Sequence, residues 1–445
     1  MPIKNISELK HYSNFQNSGL GVLNTYLRNL LNCKINFQHQ KIDDFERVMS
    51  IDLTSNIKRY YYRLDNNRII LSIKIIDKPN IIAIMPILIE GIDITIIESY
   101  IFEQIASAIT IQMTKCYLNS FHGGTQLMGI ELEQLVIAKC FARRAFDPAR
   151  IALLISFIEK ISHTTFEGKF FSSGFILTRA MHDYRSGKSK HRDGILYNLN
   201  ATYDIVRNPD VNKRFWYLVD GRESFYVFDQ RLEISNSFAL TNTYKTWNNF
   251  FDSYFLKSVL YGKDIVFRTI SPNQVSIMNS DSIEFVKVEN SWRLRDYRYL
   301  ENFIDKKNRV GKKLKRALIY YISKCSREGI STIIWVPKKL KKRAISEMLL
   351  TQSSMFSPHI SILSTTNEET IMRILSSDGV TVIDTKGNIK YHGCIVDLNT
   401  GVARGLSGTG ETAAKILSTN GIAIKISQDG NIKIFYSIDE DAFVF

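Results

Sequence analysis

Two short stretches decide the reading of this chain. Asp378-Gly379-Val380 opens a strand, and Gly405-Leu406-Ser407-Gly408-Thr409-Gly410 runs into a short helix over Glu411 to Leu417. A second strand and a tight hairpin follow, Ile426-Ser427-Gln428-Asp429-Gly430. This strand-helix-strand order implies an α/β fold with a mixed sheet and flanking helices. Asp384-Thr385-Lys386-Gly387-Asn388 and Gln428-Asp429-Gly430-Asn431 are hairpin signals, because glycine accepts φ > 0 at a turn. A loop of Gly, Ser and Thr that opens a helix presents free backbone N–H groups and the positive end of the helix dipole, which suits phosphate. An acidic residue at a strand start facing such a loop points to a metal-bound nucleotide.

Upstream, the same order of elements recurs. A helix (Ile151 to Ile161) precedes a strand (Phe170 to Thr178), as a helix (Leu314 to Ser326) precedes a strand (Ser331 to Val336). Asp220-Gly221 leads into Phe225-Tyr226-Val227-Phe228-Asp229, as Asp378-Gly379 leads into Val380-Thr381-Val382-Ile383-Asp384. Ile270-Ser271-Pro272-Asn273 parallels Ile426-Ser427-Gln428-Asp429, at closely matching spacing. The pattern raises an internal duplication, and coincidence of short β-patterns stays open as the alternative. The upstream copy has no glycine-rich helix start, so it is expected to be a structural or sensing domain.

The expected organisation is a multi-domain chain: an N-terminal mixed α/β region over 1–148, a sensor-like or degenerate repeat over 149–295, a basic linker over 296–312 and a nucleotide-binding domain over 313–445. In the first region, two strands are expected around Asp65-Asn66-Asn67 and a helix near Glu98 to Tyr117. His122-Gly123-Gly124 marks a loop. Two helices follow, Ile130 to Ala145 and Pro148 to Ser162, the second with Asp147 as N-cap and Pro148 at N1.

With 445 residues, two or three domains are expected. Hydrophobic residues at 44% and charged residues at 23% exclude a disordered chain. The five cysteines are scattered with no CxxC pair, which excludes a disulfide framework or zinc ribbon and fits a reducing cytoplasm. No apolar leader segment stands at Met1 to Leu31. The apolar stretch Ile81 to Ile111 is broken by Glu90, Asp93, Glu98 and Glu103, so no membrane span is expected.

The net charge of +14 asks for an anionic partner or a solvated explanation. Basic residues cluster at Lys306-Lys307, Arg309, Lys312-Lys313 and Lys315-Arg316, and at Lys338-Lys339 and Lys341-Lys342-Arg343. A nucleotide, nucleic acid or plain solvated loops would each account for them, and no nucleic-acid-binding motif is present. Ser186-Gly187-Lys188-Ser189 lacks the first glycine of a P-loop. His191-Arg192-Asp193 has no Asp-Phe-Gly downstream, and the histidines show no zinc-ligand spacing.

On these residues the C-terminal stretch, about 313–445, resembles the nucleotide-binding domain of DisA-type diadenylate cyclases. Asp378-Gly379-Val380 matches the family's Asp-Gly-Ala strand start. Gly408-Thr409 and Ala413-Ala414 match the flanks of its Gly-Thr-Arg-His-Arg-x-Ala helix opening. Ile426-Ser427-Gln428-Asp429 stands for its Val-Ser-Glu-Glu turn, and Gly393-Cys394 before an apolar strand also fits. The Arg-His-Arg triplet reads Gly410-Glu411-Thr412 here, so cations expected beside the triphosphate are missing, and Arg404 and Lys415 are the candidate substitutes.

The resemblance implies a cyclase that joins two ATP molecules into cyclic di-AMP across two facing domains, with pyrophosphate released. Asp378 would be catalytic and hold Mg²⁺ or Mn²⁺, with Asp429 assisting at the metal. Thr409, Ser427 and the N–H groups of Gly408 and Gly410 would position phosphates, and Gly379, Val380 and Gly393 would flank base or ribose. The implied partners are the nucleotide and a second copy of the chain. Two alternatives remain: an inactive relative that binds a nucleotide or cyclic dinucleotide and signals through its N-terminal half, and a basic nucleic-acid-binding protein.

Overall fold

The structure, a computed structural model, describes residues 4–445 apart from 6–11, 32, 38–41, 55–57, 78, 92–98, 121–129, 143–144, 180, 182–193, 206–209, 211, 241–259, 261, 272–273, 282, 289–290, 298–299, 302, 305–310, 339–344, 346, 352–359, 401–407 and 438–441. The chain is a mixed α/β protein organised around three larger sheets.

The first sheet is built from β1 (Lys4–Asn5), β2 (Lys34–Phe37), β3 (Tyr61–Arg63), β4 (Arg68–Asp77) and β5 (Asn80–Glu90). Its order is β1-β5-β4-β3, with β2 also paired to β5. Helices α1 (Tyr12–Leu31), α2 (Ile42–Met49) and α3 (Ser99–Ser120) belong to this region. The turn between β3 and β4 forms at Asp65, whose carboxylate accepts from the Asn67 N–H and from Arg68 Nε. The alternation expected of a half-exposed strand does not extend to burial, because β4 is buried from Ile69 through Ile75. One face packs into the main core, and the other holds Ile70 against Phe45, Leu53, Tyr62 and Leu88.

Helices α4 (Ile130–Ala142) and α5 (Pro148–Ser162) follow. Asp147 caps α5 as expected: its Oδ1 accepts from the Ala149 N–H at 3.0 Å, and Pro148 fills a first-turn position that needs no N–H. A small hairpin, β6 (Thr165–Phe166) and β7 (Lys169–Phe170), leads to the middle sheet. That sheet comprises β8 (Gly174–Leu177), β9 (Gly194–Asp204), β10 (Ser224–Phe228), β11 (Glu233–Leu240), β12 (Ile265–Ser271), β13 (Gln274–Asn279), β14 (Ile283–Val288) and β15 (Ser291–Asp296), with α6 (Lys213–Trp216) before β10. The strand order is β15-β14-β13-β12-β8-β10-β11-β9.

The C-terminal unit starts with α7 (Lys312–Arg327) and β16 (Thr332–Pro337). It continues through α8 (Glu368–Leu375), β17 (Val380–Ile383), β18 (Ile389–Cys394), α9 (Thr409–Leu417), β19 (Gly421–Ile426), β20 (Ile432–Phe435) and β21 (Phe443–Val444). Its order is β18-β17-β16-β19-β20-β21. In both sheets the central strand pairs parallel to the strand after the Asp-Gly and antiparallel to the strand before the Ile-Ser. The run β11-β10-β8-β12-β13-β14 therefore repeats β18-β17-β16-β19-β20-β21 in order and sense.

The cores divide differently from the sequence boundaries. One continuous core runs from Leu20 to Trp292 and unites the N-terminal region with one face of the middle sheet. A second begins at Tyr297. The segment expected as a basic linker, 296–312, thus opens with Tyr297, Leu300 and Ile304 buried in the C-terminal core. Among the described residues, no helix is long and apolar enough to cross a membrane. His122-Gly123-Gly124, the motifs within 182–193 and the basic runs 306–309 and 339–343 lie outside the described residues.

Candidate functional site

A cavity of about 790 Å³ opens on one face of the C-terminal sheet. It gathers Asp378, Gly379, Val380, Gly393, Gly408, Thr409, Gly410 and Ser427, which the sequence spreads over fifty positions of strand, loop and helix. Hydrogen-bond register explains the gathering. β17 lies parallel beside β16, β19 lies antiparallel on its other edge, and α9 packs against β16 and β19. The start of β17, the end of β19 and the N-terminus of α9 therefore meet at one end of the sheet.

Asp378 is exposed at this end, and among the described residues its one hydrogen bond is to its own neighbour, accepted from the Gly379 N–H at Oδ1 at 2.9 Å. Gly379 adopts φ +96°, and a Cβ there would stand 2.8 Å from the Gly393 carbonyl carbon and from the Cys394 oxygen. Only glycine allows the β17 start to lie this close to β18. The cap of α9 is Gly408 at φ +112°, and among the described residues no side chain caps the first turn. Thr409 is the first helical residue and is exposed. An uncapped helix start facing a cavity leaves its N–H groups for an anion. Ser427 heads the β19–β20 turn, its N–H bonded to the Asn431 carbonyl at 2.9 Å.

Two expected site residues, Asp429 and Lys415, stand elsewhere. Asp429 does not line the cavity: its carboxylate accepts from the Asn431 N–H and side-chain amide within the turn, and its carbonyl accepts from Arg293 Nη1 at 3.2 Å. Lys415 lies on α9 away from the cavity lining. Arg404 and the loop Gly405 to Ser407 are outside the described residues.

The cation that does reach the cavity is Lys425 on β19, which the sequence reading missed. Its Nζ donates to Ser331 Oγ at 2.7 Å. A Cβ on Gly410 would stand 3.0 Å from Lys425 Cε, so the small residue at 410 leaves room for the lysine arm. Burial lowers the Lys425 pKa, opposed by the negative charges of Glu411, Asp378 and Asp429. The available signal was a lone Lys in Gly421-Ile422-Ala423-Ile424-Lys425-Ile426, a polar side chain on an otherwise apolar strand. Glu411, whose charge would repel phosphate, is held by Lys433 at 2.5 Å, which offsets it.

The rim is apolar and open. Ile395 and Leu398 line the cavity yet are 56% and 42% exposed. Among the described residues no group of three His, Cys, Asp or Glu could hold a metal ion. The donor set at this site is one available carboxylate, which fits a hard cation held mostly by phosphate oxygens and water, as Mg²⁺ commonly is.

No family model matches the chain, and no curated protein matches it. Among solved structures, a chain described as a hypothetical membrane spanning protein from Bacillus cereus is similar at 16% identity, over 33% of this chain and 70% of that one, with a TM-score of 0.27. A likeness of that size carries no argument about function.

Proposed function

We propose that the C-terminal unit binds ATP in the 790 Å³ cavity and is a divergent diadenylate cyclase. The observation that carries the reading is the convergence of an uncommitted carboxylate, Asp378, with an uncapped helix start and a lysine amine. Anionic phosphate needs donors and cations, and a bound divalent ion needs a carboxylate; this cavity offers both. Lys425 takes the part that the family's basic triplet would have, entering from β19 over Gly410 instead of from α9 itself. The exposed Ile395 and Leu398 suit an adenine face or the rim of a second copy.

The N–H groups of Thr409 and Gly410, the Ser427 hydroxyl and Lys425 would hold the triphosphate and orient its α-phosphate. Orientation supplies much of the acceleration in phosphoryl and nucleotidyl transfer. The 3′-hydroxyl of one ATP attacks the α-phosphate of the other, the bond to pyrophosphate breaks, and the hydroxyl proton leaves to solvent. Two such transfers give cyclic di-AMP and two pyrophosphates. Among the described residues each chain presents one such cavity, so two chains would meet face to face. Asp378 would hold Mg²⁺ or Mn²⁺, which supplies charge neutralisation at the phosphates. The N-terminal and middle units would then act as sensor or regulator.

The test is incubation of the full chain with ATP and Mg²⁺ or Mn²⁺, followed by mass spectrometry. Cyclic di-AMP and pyrophosphate are expected, lost in Asp378→Asn with the circular dichroism spectrum unchanged. Tight ATP binding without product would leave the inactive-sensor reading. No ATP binding, with salt-sensitive binding to DNA, would leave the nucleic-acid reading.

A further inference from the structure

A second cavity, about 130 Å³, lies where all three units meet. It is lined by Arg28 and Asn29 at the end of α1, Arg293 and Arg295 on β15, Asn431 in the β19–β20 turn, and Phe445 beside Leu30 and Leu294. Three guanidinium groups and two carboxamides thus face one small space, and among the described residues no Asp or Glu side chain lines it.

Arg295 is the decisive member. It is 1% exposed, yet among the described residues its Nε and Nη1 have no hydrogen-bond partner. Only Nη2 is used, donating to Ser326 Oγ at 2.7 Å and to the Gly430 carbonyl at 3.1 Å. Glu284 stands opposite Arg295 in the β14–β15 register and engages Ser276, Tyr297 and Arg268. A buried guanidinium with unmet donors costs free energy that an anion would recover. Arg293 points the same way, bonding the Asp429 carbonyl and Asn431 Oδ1 across the junction. Arg28 is exposed and lines the same cavity.

We propose that this cavity binds one phosphate-sized oxyanion, with Arg295 at its floor and Arg28 at its entrance. The volume accommodates a tetrahedral anion and few waters, since a water occupies roughly 30 Å³ of liquid. Planar guanidinium forks suit two oxygens at once, which favours phosphate or sulfate over a monatomic anion. The site sits directly behind the turn that carries Ser427, and it does not depend on what the larger cavity binds.

The experiment is isothermal titration calorimetry of the full chain with inorganic phosphate at constant ionic strength, with glycerol 3-phosphate as a second arm. One saturable phosphate site is expected. Arg28→Gln and Asn29→Asp, both at exposed positions, should each weaken it about tenfold or more, while Lys425→Met in the larger cavity leaves it unchanged. Equal binding of glycerol 3-phosphate would support the site and assign the phosphoryl group to a larger molecule; weaker binding would assign it to the free ion. The proposal is overturned by absence of saturable binding to the wild-type chain. It is equally overturned if Lys425→Met abolishes binding and Arg28→Gln does not, because phosphate would then occupy the larger cavity.

Discussion

The middle and C-terminal sheets share one strand plan but use their polar groups in opposite ways. On the strand that leads to each Ile-Ser, Arg268 stands opposite Gly174 and Ser276, and Lys425 stands opposite Ile333 and Lys433, one position nearer the landmark. Arg268 is buried and faces Glu284 at 3.7 Å, whereas Lys425 reaches a cavity and bonds one serine. Asp220 and Asp378 both precede a positive-φ glycine. Yet Asp220 Oδ1 accepts from the N–H groups of Arg222, Glu223 and Ser224 and from the Ser224 hydroxyl. Asp378 is left exposed beside the cavity. The middle sheet uses its polar groups to hold itself together; the C-terminal sheet keeps the same groups uncommitted. That contrast is what the proposed nucleotide-binding role of the C-terminal unit would require.

The sharpest way to break the comparison is to remove each cation in turn. Arg268→Met strips a buried ion pair of one partner and should destabilise the chain by about 3–5 kcal/mol in chemical denaturation. Lys425→Met should change stability by less than about 1 kcal/mol. It should instead weaken ATP binding on the order of 10–100-fold by calorimetry, the size of a charge-assisted hydrogen bond. If both variants behaved alike, the division between scaffold and site would fail.

A second contrast lies in the aspartates. Asp220→Ala removes four acceptor contacts and should cost about 1–3 kcal/mol, while Asp378→Ala should stay within about 0.5 kcal/mol. The pH dependence sharpens the role of Lys425. Burial lowers its pKa, so the amine loses its proton before an ordinary lysine would. ATP affinity should therefore fall as pH rises toward the usual lysine range, and Lys425→Arg should flatten that limb.

The smallest effect concerns the shared core. Burial raises the Glu133 pKa to about 7, opposed by Lys287 and reinforced by Glu159. An acid whose folded pKa is raised contributes stability that is fully present below its unfolded value of 4.5 and is lost as pH rises through about 7. Glu133→Gln should thus raise the melting temperature at pH 8 relative to wild type and change it little at pH 4.

Much of this was legible in the sequence because it rests on local chemistry. Asp147-Pro148 announces α5, and Asp229 and Asp384 each fold a hairpin by accepting from N–H groups two and four residues on. The Asp-Gly and Ile-Ser landmarks fall at equivalent places in the two sheets. What was not legible depends on which face a side chain takes and what stands opposite. Lys425 reaches the cavity because Gly410, on another element, makes room for it. Asp429 looked available until Asn431 and Arg293 were found on its turn. Arg295 carries no local signal at all, because its surroundings come from helix, strand and turn far apart in the chain.

The division of the cores has a consequence for how this protein comes apart. Side chains from Leu20 to Trp292 interlock in one body, so the N-terminal region and middle sheet should lose structure together. The body that begins at Tyr297 has its own apolar interior and should melt as a separate block. A cut placed at residue 148 would tear α5 from α4 and expose a raw apolar face, whereas a cut just before Tyr297 follows the natural seam.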